Sequence, residues 1–203
     1  MRFGDLTFEE IHEEITAGAI AVVPMGCTEQ QGPHLPVDFD TWFGETLASE
    51  GSDRASEQHG IRSLVLPTLP FGPTPEHVNF GAGYVDLPAQ QHDDILVALL
   101  GSLFDQGFNK VVVWRGCGGH DLSRPVASVD PSRGRVWLPA MPFESIWREV
   151  GPEVPGGHAD SFTTSITMYL RPDSLRSDRI PGHRAFPTGP HRSWTSRCTQ
   201  RPV

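Results

Sequence analysis

The run Lys110-Val111-Val112-Val113-Trp114 constrains this chain more than any other segment. Three consecutive β-branched residues favour extended backbone, and an apolar run without polar alternation belongs to a strand buried on both faces. Ala19-Ile20-Ala21-Val22-Val23 reads the same way and is expected to stop at Pro24. Further strands are expected from Ile61 to Leu66 and from Arg135 to Pro139. Helical patterns fill the intervals. The first runs from Leu6 to Gly18, where Thr7 and Glu10 have capping-box spacing and Gly18 supplies a stop. A second is expected from Thr41 toward Ser49, capped by Asp40 and closed by Gly51, with residues 50–60 as polar surface loop. A third spans Pro88 to Phe104, where Ile95, Leu96, Leu99, Leu100 and Leu103 recur at helical spacing. The last opens at His158-Ala159-Asp160-Ser161 and ends near Leu170, before Pro172. Strands alternating with helices predict an α/β fold of three α/β/α layers, a mostly parallel sheet flanked by helices on both faces.

At 203 residues and 22.3 kDa the chain can bury a full core without disulfides or structural metal. A single domain is expected over residues 1–180. Residues 181–203, rich in Pro, Ser, Arg and His and lacking an apolar period, are expected to form an extended tail. The net charge of −9 argues against a nucleic-acid surface or an anionic membrane as partner. Cys27, Cys117 and Cys198, with no CxxC pair, fit a reducing cytoplasm better than a disulfide framework. Met1 to Asp5 is acidic soon after its start and lacks an apolar core, so no signal peptide is expected. No apolar run approaches the roughly 18 residues of a membrane span.

Chemistry-bearing residues gather where strands end or a helix begins: Glu29 to Asp40 after the first strand, Cys117 to Asp121 after the Val-rich strand, and His158 to Asp160. The ends of parallel strands are where open α/β sheets bind ligands. Carboxylate, imidazole and thiolate together are the inventory of a catalytic zinc or mixed divalent site. Each residue also has a plainer reading. Glu29 could be a solvated loop carboxylate, Asp40 a helix cap, His120 a partner for backbone, and Cys117 a small buried residue. Gly116-Cys117-Gly118-Gly119 lacks the Gly-Lys-Ser/Thr of a phosphate loop and the spacing of a dinucleotide fingerprint. No GxSxG elbow is present. Four prolines between Pro67 and Pro75 suit a stiff pocket wall.

The run Pro24-Met25-Gly26-Cys27-Thr28-Glu29-Gln30-Gln31-Gly32-Pro33-His34-Leu35-Pro36, followed by Asp40, resembles the signature of the creatininase (creatinine amidohydrolase) family. Glu76-His77, the glycine cluster at 115–120 and His158-Ala159 before Thr164-Ser165 fall in the same order. Glu57-Gln58-His59-Gly60 spells part of the signature but precedes a strand rather than following one, and is read as a decoy. The resemblance implies a metal-dependent hydrolase of cyclic amides, formamides or small peptide-like bonds that assembles as a homo-oligomer. It implies Glu29 as a metal carboxylate, Asp40 as the carboxylate bridging two ions, and His158 as a catalytic histidine that protonates the leaving group.

This chain departs from that pattern. A family histidine ligand falls at Gln31, another at Cys117, and the asparagine closing the glycine motif at His120. Thr163 stands where a glutamate is expected, and Asp160 replaces a glycine. A rearranged site is therefore expected, with Glu29, Asp40 and His120 as metal ligands and Cys117 or Asp160 completing the shell. Gln31, His34, His77 and Trp147 are expected to line the pocket or support it. The cofactor expected is a divalent metal, zinc first and manganese or iron next. The function expected is hydrolysis of a small, non-peptide or cyclic amide C–N bond. A metal-dependent lyase or isomerase of a small polar metabolite and a non-catalytic binding subunit are the competing readings.

Overall fold

Four parallel strands carry the sheet, in the order β2-β1-β3-β4. They are β1 (Ile20–Met25), β2 (Ser63–Val65), β3 (Lys110–Arg115) and β4 (Arg135–Trp137) in the computed structural model, which describes residues 1–140 and 158–180. Trp147, the loop at 142–157 and the tail at 181–203 lie outside the described residues. The described chain divides into two compact units. The first, comprising Met1–Thr28, Asp40–Pro75 and Val85–Ala140, holds the sheet. The second comprises Glu29–Phe39, Glu76–Tyr84 and, of the described residues, 158–180. The fold is the expected three-layer α/β/α arrangement with helices flanking a parallel sheet.

In the sheet unit, β1 lies between β2 and β3, pairing Ala21 with Leu64 on one side and Val111 on the other. Helix α1 (Phe8–Thr16) carries the expected capping box, with Thr7 accepting from the Glu10 amide and Glu10 accepting from that of Thr7. Helix α3 (Ala89–Asp105) places Leu96, Leu100 and Leu103 on one buried stripe, the spacing of an amphipathic face. They pack with Ala21, Val23, Met25, Leu64, Val111 and Val113 into the main core. Helix α4 (Ser123–Ala127) links β3 to β4.

Two local stop signals are overridden. β1 runs through Pro24 to Met25, because the Pro24 carbonyl still accepts from the Leu69 amide at 3.1 Å near the strand's C-terminal end. Helix α2 (Phe39–His59) passes through Gly51 and turns residues 50–59 from expected loop into helix. A glycine inside a helix costs about 1 kcal/mol. Burial of Phe43 and Ala48, and a bond between the buried Ser52 and Ser63 hydroxyls on α2 and β2, offset it. The helix ends instead at Gly60, whose φ of 64° is left-handed. Asp40 lies in its first turn rather than before it.

In the second unit, helix α5 (Ser161–Leu170) starts at Asp160, whose carboxylate accepts from the Thr163 amide at 2.8 Å. His34 is buried there. Its Nε2 lies 2.9 Å from the Thr164 hydroxyl, and its carbonyl accepts from the Arg176 amide. Arg171 donates to Asp38 at 2.8 Å.

Leu100→Ala removes a fully buried side chain and is expected to destabilise the protein by about 2–5 kcal/mol in urea unfolding. Burial lowers the pKa of His34, so the folded state binds fewer protons there than the unfolded chain. The stability tied to this neutral imidazole is present above about pH 6.5, the ordinary histidine value, and is lost as pH falls through the folded value. Unfolding midpoints measured from pH 7 downward are expected to fall less steeply in His34→Gln than in the parent.

Candidate metal-binding site

The ends of β1 and β3 are in register, Met25 opposite Arg115, and the Gly116 amide donates to the Met25 carbonyl at 2.7 Å. A side chain on Gly116 would place its Cβ 2.7 Å from the Asp40 carbonyl, so only glycine lets the exit of β3 approach the first turn of α2 this closely. Two residues beyond the paired ends come Cys27 and Cys117, brought side by side by equal offsets on neighbouring parallel strands. His120 joins them, and one ligand atom from each of the three lies within 4.8 Å of the others. All three are buried. The Cys27 thiol donates to an Asp40 carboxylate oxygen at 3.1 Å, and the Thr41 hydroxyl donates to the Cys27 carbonyl.

The His120 ring occupies space that a residue other than glycine at 72 would fill, since a Cβ there would sit 2.0 Å from the ring carbon Cε1. The Arg115 guanidinium donates to the His120 carbonyl at 3.0 Å. Neither ring nitrogen of His120 makes a well-aligned hydrogen bond among the described residues, and the Cys117 sulfur and the Pro73 backbone are the hydrogen-bonding groups that act on it. A buried imidazole without a well-aligned partner is costly, and coordination of one nitrogen would remove that cost. The ring of His92 packs edge-on at 4.9 Å.

The electrostatics of the group favour thiolate. The neighbouring Cys27 thiol holds Cys117 well below the usual thiol range despite its burial, and His120 adds to the effect. Burial alone would depress His120, but the Cys117 sulfur and the Asp40 carboxylate outweigh it and raise its pKa. Burial, reinforced by the charge of His120, lowers that of His92. Two sulfurs and one imidazole nitrogen form a donor set that fits a soft or borderline cation such as zinc.

The second unit holds a different group, Glu29, His77 and His158, with ligand atoms again within 4.8 Å of one another. Glu29 is buried, with His77 Nε2 at 3.5 Å and His158 Nδ1 at 3.3 Å from its two oxygens. His158 Nδ1 also lies 3.0 Å from the Gln30 carbonyl. The two imidazole rings meet edge-on at 4.5 Å. Gln31 is buried and its side-chain oxygen accepts from the Ala159 amide at 3.3 Å, which fastens the turn that presents His158. Ala159 has a φ of 55°, a left-handed conformation unusual for a residue with a side chain. Gly32, itself at φ 69°, leaves room for the Ala159 methyl.

Of the residues expected from sequence, Asp40, Cys117 and His120 therefore belong to the sheet unit, and Glu29, Gln31, His34, His77, His158 and Asp160 to the second. The Asp160 carboxylate caps α5 and belongs to neither three-residue group; Gln31 and His34 make the structural bonds given above. The structure also brings Cys27 and His92, which the sequence did not single out, beside Cys117 and His120. Cys27 was legible only through strand register, and His92 sits among the leucines of α3, where a core reading is natural.

A parallel α/β sheet with side chains able to hold a metal just beyond two paired strand ends sets the class of fold and site in which this chain belongs. Residues 4–201 match the creatinine amidohydrolase family, and the chain belongs to it. The chain is similar to the mycofactocin precursor peptide peptidase of Mycobacterium ulcerans, 28% identical over 173 residues. That alignment covers 82% of this chain and 64% of the relative. It is also similar to the 3-dehydro-scyllo-inosose hydrolase of Thermotoga maritima, 25% identical over 87% of this chain and 58% of the relative. The chain thus spans less than two thirds of the length of these relatives. A crystal structure of creatinine amidohydrolase superposes with a TM-score of 0.69 at 22% identity, covering 92% of this chain and 79% of the other. Structures sharing the fold include creatininases in zinc and manganese forms.

Gly32→Ala would bring a Cβ within 2.5 Å of the Ala159 methyl at a left-handed φ. It is expected to lower stability by about 1–3 kcal/mol in chemical denaturation.

Proposed function

We propose that the protein is a metal-dependent hydrolase of a small amide C–N bond. The observation that carries this reading is the buried Glu29 carboxylate flanked by the imidazoles of His77 and His158. An isolated carboxylate in this position would be strongly penalised; two imidazoles beside it make the charge tolerable and supply donors for a cation. Glu29 and His77 are the residues we assign to holding a divalent ion, zinc or manganese. A bound ion of this kind supplies Lewis-acid polarisation of a carbonyl and lowers the pKa of water toward neutrality.

His158 handles the proton. Its Nδ1 faces two oxygen acceptors, the Gln30 carbonyl and Glu29, so the Nδ1 proton is held there and the exchangeable site is Nε2. From Nε2 a proton can pass to the departing nitrogen, which makes the amine a viable leaving group. Gln31 and the Ala159 turn fix the ring's position, so the proton is delivered from one direction. The relatives named as peptidases support extending the trial substrates from cyclic amides to short peptides. The lyase and binding-subunit readings gain no specific support from the side chains.

His158→Gln is expected to reduce kcat on a hydrolysed amide by about 10²–10⁴-fold with KM little changed. Glu29→Gln is expected to lower metal content as well, by elemental analysis. Hydrolysis in isotope-labelled water places label in the product carboxylate. Turnover that survives complete metal removal, or a product without label, overturns the proposal.

A further inference from the structure

The sheet unit departs from the family pattern in its donors: sulfur from Cys117 stands where that pattern has a histidine and imidazole from His120 where it has an amide, with the Cys27 sulfur beside them. We infer that Cys27, Cys117 and His120 form a thiolate-rich metal site selective for zinc and other thiophilic cations over manganese or magnesium, with Asp40 beside it as a fourth donor or as the acceptor of the Cys27 proton. Four independent features support this. The three ligand atoms converge within 4.8 Å. Neither nitrogen of the buried His120 ring makes a well-aligned hydrogen bond among the described residues. The bare Cα of Gly72 makes room for that ring, with a hypothetical Cβ only 2.0 Å from it. Parallel register places the two sulfurs at equal offsets from Met25 and Arg115.

The donor chemistry then decides the ion. Thiolate ligands favour zinc and cuprous copper, whereas magnesium and manganese are better served by carboxylate and water oxygens. Cys27 must lose its proton to coordinate, and its S–H already points to an Asp40 oxygen 3.1 Å away. The proton moves from sulfur to that carboxylate or to solvent as the metal–sulfur bond forms, with no change of oxidation state. Selectivity follows from Cys27 and Cys117 themselves and holds whether or not the chain hydrolyses an amide.

The test uses the full chain, freed of metal under reducing conditions and titrated with cobalt or zinc alone. One equivalent of cobalt is expected to produce an intense near-ultraviolet thiolate-to-cobalt charge-transfer band. Cys27→Ser and Cys117→Ser are each expected to weaken it, and competition is expected to rank zinc at least about a hundredfold above manganese. X-ray absorption of the zinc-loaded parent protein is expected to show sulfur scatterers at about 2.3 Å, and this readout survives a variant that fails to fold. A shell of nitrogen and oxygen alone at about 2.0–2.1 Å overturns the inference. So does a cobalt spectrum without the band, or manganese affinity equal to that for zinc. Hydrolysis is not read in this experiment, so its failure leaves the amidohydrolase proposal standing, and the reverse also holds.

Discussion

The parallel pairing of β1 with β3 is the constraint on which the rest of the sheet unit depends. Both strands are dominated by small and β-branched apolar residues, and their inward side chains Ala21, Val23, Val111 and Val113 are fully or nearly fully removed from water. That burial, together with the leucine stripe of α3, holds the register, and the register fixes everything that follows the strand ends. The Gly116 amide completes the pairing at Met25, and the missing side chain of Gly116 lets α2 begin against it. The cysteines inherit their proximity from this backbone arrangement and need no loop of their own to bring them together.

In the second unit the organising interaction is the burial of the Glu29 charge. Its amide bonds to the Val37 carbonyl at 3.0 Å, which closes the loop from 29 to 37, and its oxygens face two histidines. Imidazole is well suited to this place because it can be a donor to a carboxylate in one state and a metal ligand or base in another. The left-handed Ala159 and the Gln31 bond show that backbone strain is tolerated to point His158 at Glu29.

Much of this was legible in the sequence, for physical reasons. Val111 to Val113 and Ala19 to Val23 declared buried strands because both faces must be apolar when helices cover both sides, and α1 and α3 declared themselves through capping and periodicity. Pro24 and Gly51 were misread because their penalties are local and small, and tertiary burial around them is larger. The polar groups after β1 and β3 stood out as candidates because chemistry in parallel sheets collects at strand ends. The proximity of Cys27 to Cys117 did not, since the order β2-β1-β3-β4 places β3 beside β1 and nothing in the linear sequence states that adjacency. Asp160 shows the opposite case: a carboxylate that suggested a ligand is engaged by the amide of Thr163, three residues away.

Because the two sulfurs follow the paired ends of β1 and β3 at equal offsets, a slip of one strand against the other by one position would break that match and separate the thiols. A thiophilic ion captured by both would therefore reward only the correct alignment during refolding, coupling uptake of the cation to proofreading of the sheet. In that sense the pair of cysteines would act as a keyed clasp just past the ends of two neighbouring strands.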